Sequence, residues 1–168
     1  LFVYEQPSPE QAGSVAEQAP AEQGEAAAAG LDGYAVENQV GFLLRRAHQR
    51  HVSLFLEGMN GADLTPRQFS ALFKTVELGH VTQNLLGRLT AMDPATIQGV
   101  VRRLMARGLV RRAADPMDRR SAVLAPTEAG AALARQAAAR ARRVTEATLA
   151  PLDPDERERL LALLRRIA

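Results

Sequence analysis

The chain has 168 residues, 46% of them hydrophobic, with a formal charge of +2 and no cysteine. That size fits one domain with an appendage. The composition excludes disulfides, thiolate catalysis, cysteine–zinc sites and thiol-based peroxide sensing. With neither an eighteen-residue apolar run nor a charged-then-apolar leader, the expected location is the cytoplasm, off the membrane.

The small net charge hides an uneven distribution. Residues 1–37 hold seven acids and no lysine or arginine, whereas residues 99–143 hold eleven arginines and three acids. A concentrated arginine field suggests a polyanionic partner. Part of the enrichment is compositional, since Lys74 is the one lysine in the chain.

Residues 1–31 read as an acidic, low-complexity arm, too poor in large apolar groups to offset the entropy of ordering. From Asp32 the pattern turns helical. Val36, Val40, Leu43, Leu44, Ala47, His51, Leu54 and Phe55 fall at three- and four-residue steps, which predicts one long helix to about Gly58. In "NGADLTPRQ" the chain breaks and restarts, with Thr65 as N-cap, Pro66 at the first helical position and Gln68 completing a capping box. This second helix should end at Gly79. A short third helix follows Thr82, with Leu85, Leu86 and Leu89 expected inward. The fourth, in "DPATIQGVVRRLMARG", has Asp93 as N-cap, Pro94 as first residue and Gly108 as a left-handed stop. Two short helices joined by a tight turn match the helix-turn-helix pattern.

"LVRRAA" and "SAVLA" predict two short strands around "DPMDRR". Asp115 and Pro116 suit the first two positions of a turn, and Asp118 joins Asp115 in ordering the neighbouring arginines. Thr127 opens a long Ala/Arg helix to about Ala147. Asp153 caps a last helix carrying Leu160, Leu161, Leu164 and Ile167 on one face.

On the fourth helix Ile97, Val100, Val101 and Leu104 form the core side. Opposite them lie Ala95, Gln98, Gly99, Arg102 and Ala106, with Thr96 and Arg103 at the edges. Small residues let a backbone approach base edges, and Gln and Arg make bidentate contacts there. Gly99 is read as a close-approach position, with tight helix–helix packing as the alternative. Arg111 and Arg112 on one strand, and Arg119 and Arg120 on the other, are placed to reach phosphates and a narrow minor groove.

The stretch from "LTPRQFSALFKTVELGHVTQNLLGRLTAMDPATIQGVVRRLMARGLVRR" through "DPMDRRSAVLAPTEAG" resembles the winged-helix core of the MarR family of bacterial transcription regulators. The resemblance extends over residues 32–168. It implies a mainly α fold in which residues 61–126 form the winged helix-turn-helix, while 32–60 and 127–168 supply dimerisation helices. It further implies an obligate homodimer on a pseudo-palindromic operator, no enzymatic activity and no cofactor. Thr82, Gln83 and Asn84 of the third helix join the DNA-contacting set. Met117 stands where many members place a wing arginine, so the minor-groove role shifts to Arg119, with Arg120 in the aspartate network. Gly99 replaces a usually larger residue, which leaves base readout to Thr96, Gln98 and Arg102.

The resemblance also implies an effector pocket between the dimer helices and the DNA-binding lobe. His48 and His51, three apart on the first helix, can bond a carboxylate or hydroxyl; Arg45, Phe55, Met59 and Phe69 are their expected neighbours. A satisfied interface histidine is the competing reading of His51. "LLRRAHQRH" with "VTQNLLGRLTAMD" further resembles regulators of nicotinate breakdown, which points to a small aromatic acid such as a hydroxylated nicotinate or benzoate. With His80 the one other histidine, no metal site is expected. An enzyme built on a winged helix would need a glycine-rich nucleotide loop, and none is present. The remaining alternative is a nucleic-acid or protein interaction module without an effector.

Overall fold

The computed structural model describes residues 33–115 and 122–168. The chain divides at Gln39 into two units: the described residues 33–39 belong to the first, and Val40–Ala168 form the body. In that first unit Val36–Asn38 make one 3-10 turn, and Gln39 is extended at φ −81° and ψ 139°. The long helix expected from Asp32 therefore starts only at Val40. An extended residue cannot carry the helical hydrogen-bond ladder across it, and the Gln39 side chain instead donates to the Ala35 carbonyl.

The body runs α1 (Val40–Gly58), α2 (Pro66–Leu78), α3 (Gln83–Leu89), α4 (Pro94–Ala106), β1 (Val110–Ala114), β2 (Ala122–Pro126), α5 (Glu128–Leu149) and α6 (Pro154–Ile167). It is the expected mainly α winged helix-turn-helix with flanking helices. No helix among the described residues is long and apolar enough to cross a membrane.

Local chemistry sets the boundaries. Thr65 and Gln68 close a reciprocal capping box at α2. Thr82 caps α3, Asp93 caps α4, Thr127 caps α5 and Asp153 caps α6, each accepting a backbone N–H three residues on. Such a cap contributes about 1 kcal/mol. Beyond α4, Gly108 takes φ +66°, a conformation that costs other residues a Cβ clash.

At the centre, α2 buries Ala71, Leu72 and Thr75 completely, and packs on α4 and α5. From α4 the stripe Ile97, Val100, Val101 and Leu104 enters the same core, joined by Leu86, Leu109, Val110 and Leu124. The hairpin is antiparallel, with Arg112 opposite Leu124 and Ala114 opposite Ala122. Val81 adds an isolated bridge outside the hairpin's five pairs, its N–H donating to Leu124 and its carbonyl accepting from it at 3.0 and 2.8 Å. That bridge ties the residue before the helix-turn-helix to the wing.

One expectation about burial changes. Of α3's leucines only Leu86 is buried, because the seven-residue helix turns Leu85 and Leu89 outward, 37% and 46% exposed. Along α1 the apolar stripe enters the core only near its end: Phe55 is buried and Leu54 is partly so, whereas Val40, Leu43 and Leu44 are exposed. Likewise α6 buries nothing, and Leu161, Leu163 and Ile167 face outward.

The join between wing and α5 is tight. Thr127 donates its N–H to the Leu109 carbonyl and its hydroxyl to the Gly108 carbonyl. The first turn of α5 thus lies against Leu109, and a Cβ on Gly130 would sit 1.9 Å from the Leu109 carbonyl oxygen. Gly130→Ala should therefore destabilise the fold by about 2 kcal/mol or more. By contrast, a Cβ on Gly99 meets nothing nearer than Arg103 Nη2 at 3.7 Å, so Gly99→Ala should stabilise by up to about 1 kcal/mol. Urea denaturation of the two variants checks both signs.

Candidate nucleic-acid interface and effector site

Because Ile97, Val100, Val101 and Leu104 are buried, the other side of α4 must face solvent: Ala95, Gln98, Arg102 and Ala106 are exposed and Gly99 is half-buried. Gly99 is not a packing glycine, since the space beyond it holds only the Arg103 guanidinium. Gln98 and Arg102 share a surface depression of about 250 Å³ with Gln83 of α3, Arg112 of β1 and the side chains of Val101 and Met105. Three elements thus bring donors to one concavity. Alternation along β1 explains the choice of arginine. Arg112 lies on the same strand face as core-directed Val110, whereas Arg111 points to the other face.

Around it, the side chains have defined hydrogen-bonding roles. Thr96 donates its hydroxyl to Asp93 Oδ2 at 2.5 Å and its N–H to Asp93 Oδ1 at 2.9 Å. With its proton so committed, Thr96 offers a partner only its methyl group and an acceptor lone pair. The same two bonds hold the Asp93 carboxyl below the usual carboxylate range. Thr82 Oγ1 accepts the Leu85 N–H, which leaves its hydroxyl proton for an outside acceptor such as phosphate. Asn84 is exposed beside it. The Asp93 carboxylate compensates the positive end of the α4 dipole, whereas α3, capped by neutral Thr82, has no acid in its first turn.

Arg103 is set apart from this group. It does not line the depression of Gln98 and Arg102 but a separate cavity, with Arg107 and Met59. In the wing, Asp115 is described; Pro116, Met117, Asp118, Arg119 and Arg120 lie outside the described residues.

The residues expected at an effector pocket divide into three groups. His51, Phe55 and Phe69 form a line of rings, with centroids 6.3 and 5.7 Å apart, and Phe73 extends it at 5.8 Å. Arg45 and His48 are exposed, and the Arg45 guanidinium lies 5.3 Å from the centre of the Phe42 ring. Met59 is buried at the other cavity. Phe73 was legible as the next helical step after Phe69. Thr148, which bonds His51, carried no signal, because the two positions are 97 residues apart.

That bond fixes a tautomer. Thr148 donates its hydroxyl to the Val144 carbonyl at 2.7 Å, so towards His51 it can only accept, and Nδ1 at 3.0 Å must be the donor. Neutral His51 therefore presents Nε2 as an acceptor, suited to a hydroxyl; protonated, it presents a donor, suited to a carboxylate. Partial burial and, less, the neighbouring His48 lower the His51 pKa from 6.5. The unfolded chain thus binds the proton first as pH falls, so His51 makes stability decline from about pH 6.5 downward. His51→Gln should flatten that decline, which denaturation midpoints between pH 8 and pH 5 will measure.

Comparison with known proteins agrees with this geometry. The MarR family model matches residues 62–121, from the α1–α2 loop into the wing. The HTH-type transcriptional repressor NicR of Pseudomonas putida is 42% identical over 134 residues, which span 80% of this chain and 85% of that protein. A probable transcriptional regulator from Pseudomonas aeruginosa superposes with a TM-score of 0.76 at 47% identity, over 80% of this chain and 100% of that one. BpsR of Bordetella bronchiseptica, whose DNA binding is regulated by 6-hydroxynicotinic acid, gives 0.75 at 38% identity over 80% and 96% of the two chains. With the helix-turn-helix, wing and outward donor face in place, the chain belongs to the MarR family of transcriptional regulators, which are not enzymes.

Proposed function

We propose that this regulator is a homodimeric repressor that binds a pseudo-palindromic operator and is released from it by a small aromatic carboxylic acid. The observation that carries the DNA reading is the joint depression of Gln83, Gln98, Arg102 and Arg112, which gathers donors from both helices of the motif and from the wing stem. In this reading α4 enters the major groove. Gln98 and Arg102 contact base edges, Thr96 contacts a thymine methyl or a base amino group, and Thr82, Asn84 and Arg112 contact phosphate. Arg119, which lies outside the described residues, takes the adjacent minor groove in this reading.

Dimerisation is supported by the apolar surface left over. Val40, Leu43 and Leu44 on α1, and Leu161, Leu163 and Ile167 on α6, are exposed in one chain. Patches of this kind need a partner, and a second copy supplies the same helices. The effector reading rests on the line His51–Phe55–Phe69 together with the relatives: NicR is named a repressor, and BpsR answers to 6-hydroxynicotinic acid. A hydroxylated pyridine carboxylate stacks on the rings and bonds His51 through its hydroxyl or carboxylate. It shifts DNA affinity by binding one spacing of the two lobes better than the other.

The test titrates promoter DNA flanking the regulator's gene against random duplex at several salt concentrations. Arg112→Ala should weaken all sequences alike and lower the salt slope by about 1, whereas Gln98→Ala should cost about 1–3 kcal/mol at one base position and relax preference there. Adding 6-hydroxynicotinate should release the wild type, and His51→Ala should need about tenfold more. An unchanged ligand response in His51→Ala sinks the effector site. A steep salt slope without sequence preference would instead support a non-specific interaction module.

A further inference from the structure

A glycine inside a helix costs about 1 kcal/mol against alanine, and α4 carries one on its outward arc. No neighbouring element accounts for it. The heavy atoms nearest to a Cβ built on Gly99 are Arg103 Nη2 and Nη1, at 3.7 and 3.8 Å. Gly99 and Arg103 are four residues apart, hence neighbours one turn apart on the same side of the helix. Helical side chains lean toward the N-terminus, so Arg103 lies back over the bare backbone at Gly99. Its charge thereby moves one turn, about 5 Å, toward the end of α4 that carries Thr96 and Gln98.

No structural bond explains this placement. Arg103 is exposed, and its guanidinium makes no hydrogen bond or ion pair among the described residues. Its five N–H donors are therefore open to whatever faces the helix. The outward arc of α4 has two flanks, because the buried stripe of Ile97, Val100, Val101 and Leu104 fixes its direction. Gln98 and Arg102 fall on the flank that shares a depression with Gln83 and Arg112. On the other flank, at about 100° per residue, fall Thr96, Gly99, Arg103 and Arg107. Thr96 has committed its hydroxyl proton to Asp93, and Arg107 donates to the carbonyls of Ala62 and Asp63. Ala95 and Ala106, between the flanks, have no polar side chain. Arg103 is thus the donor that this half of the arc has left.

We infer that Gly99 and Arg103 form one composite base-reading position, in which the guanidinium fills the space that a side chain at 99 would occupy and pairs with a guanine. The inference rests on the reading in which α4 enters the major groove. There the planar fork of arginine matches O6 and N7 of guanine. Gln98 and Arg102 serve the flank beside β1, and Arg103 specifies a different base pair on the flank away from it. Gly99 is then the residue that lets Arg103 reach that position. An alanine Cβ at 3.7 Å makes ordinary contact and leaves the guanidinium in place. A leucine at 99 puts its further carbons where the guanidinium lies.

The test selects duplexes from a random pool with the full-length protein, then titrates the selected operator with each base pair replaced in turn. The wild type should prefer guanine by about tenfold or more at one position of each half-site, a position where Gln98→Ala changes nothing. Arg103→Ala should abolish that preference and leave the others. Gly99→Ala should keep it, and Gly99→Leu should lose the same single preference. All four substitutions are on the outward arc, and far-ultraviolet circular dichroism checks that each variant is folded. A guanine preference retained in Arg103→Ala or in Gly99→Leu overturns the inference. So does a loss in Arg103→Ala that is equal for all sequences, which marks a phosphate contact. Weakened binding in Gly99→Ala overturns it too, by making Gly99 a point of close backbone approach. In each of these outcomes the wild type still selects a sequence, and the DNA reading stands. Failure of the wild type to select any sequence overturns both.

Discussion

Burial of Ile97, Val100, Val101 and Leu104 against α2 is the constraint on which the rest of this molecule depends. A helix that must put those four side chains into the core has no choice about what it shows to solvent. Ala95, Gln98 and Arg102 then point outward together, and α3 brings Gln83 alongside. The left-handed turn at Gly108 reverses the chain into β1 immediately, which carries Arg112 to the edge of the same concavity. The donor face proposed to contact DNA is thus a consequence of apolar packing on the other side of one helix.

The wing is held by an equally specific set of contacts. Val81 pairs with Leu124 ahead of the helix-turn-helix, and Thr127 and Gly130 seat α5 on Leu109 behind it. The hairpin stem is therefore fixed at both ends relative to α4, so that movement of the recognition helix carries the wing with it. On the other flank, Arg107 ties the end of α4 to the α1–α2 loop. The reading helix is connected to both neighbours through hydrogen bonds to backbone carbonyls, which makes it sensitive to whatever binds beside them.

Much of this was legible in the sequence because it rests on local chemistry. The caps at Thr65, Thr82, Asp93, Thr127 and Asp153 announce helix starts within a few residues, and the four-residue stripe of α4 fixes its faces without knowledge of any partner. What failed to show was of longer range. The extended Gln39 breaks an apolar period that continues through it, and Leu85 and Leu89 occur at helical spacing on a helix too short to bury them. The residues expected at the effector site do not converge on one surface of the single chain: Arg45 and His48 are exposed, while Met59, two turns beyond His51, lines a different cavity. Arg102 and Arg103 show the same limit, for adjacent arginines on a helix diverge by about 100° and serve different surfaces. Thr148, which determines the His51 tautomer, comes from a helix that folds back from the far end of the chain.

The central claim is that the outward face of α4 reads DNA sequence, twice per molecule, as part of a symmetric dimer. Selection of bound duplexes from a random pool, followed by sequencing, tests it most directly. The account predicts enrichment of a pseudo-palindrome with half-sites about ten base pairs apart, and loss of one defined base preference in each half when Gln98 is replaced by alanine. Recovery of unrelated sequences, or of a single half-site without its mate, would contradict it.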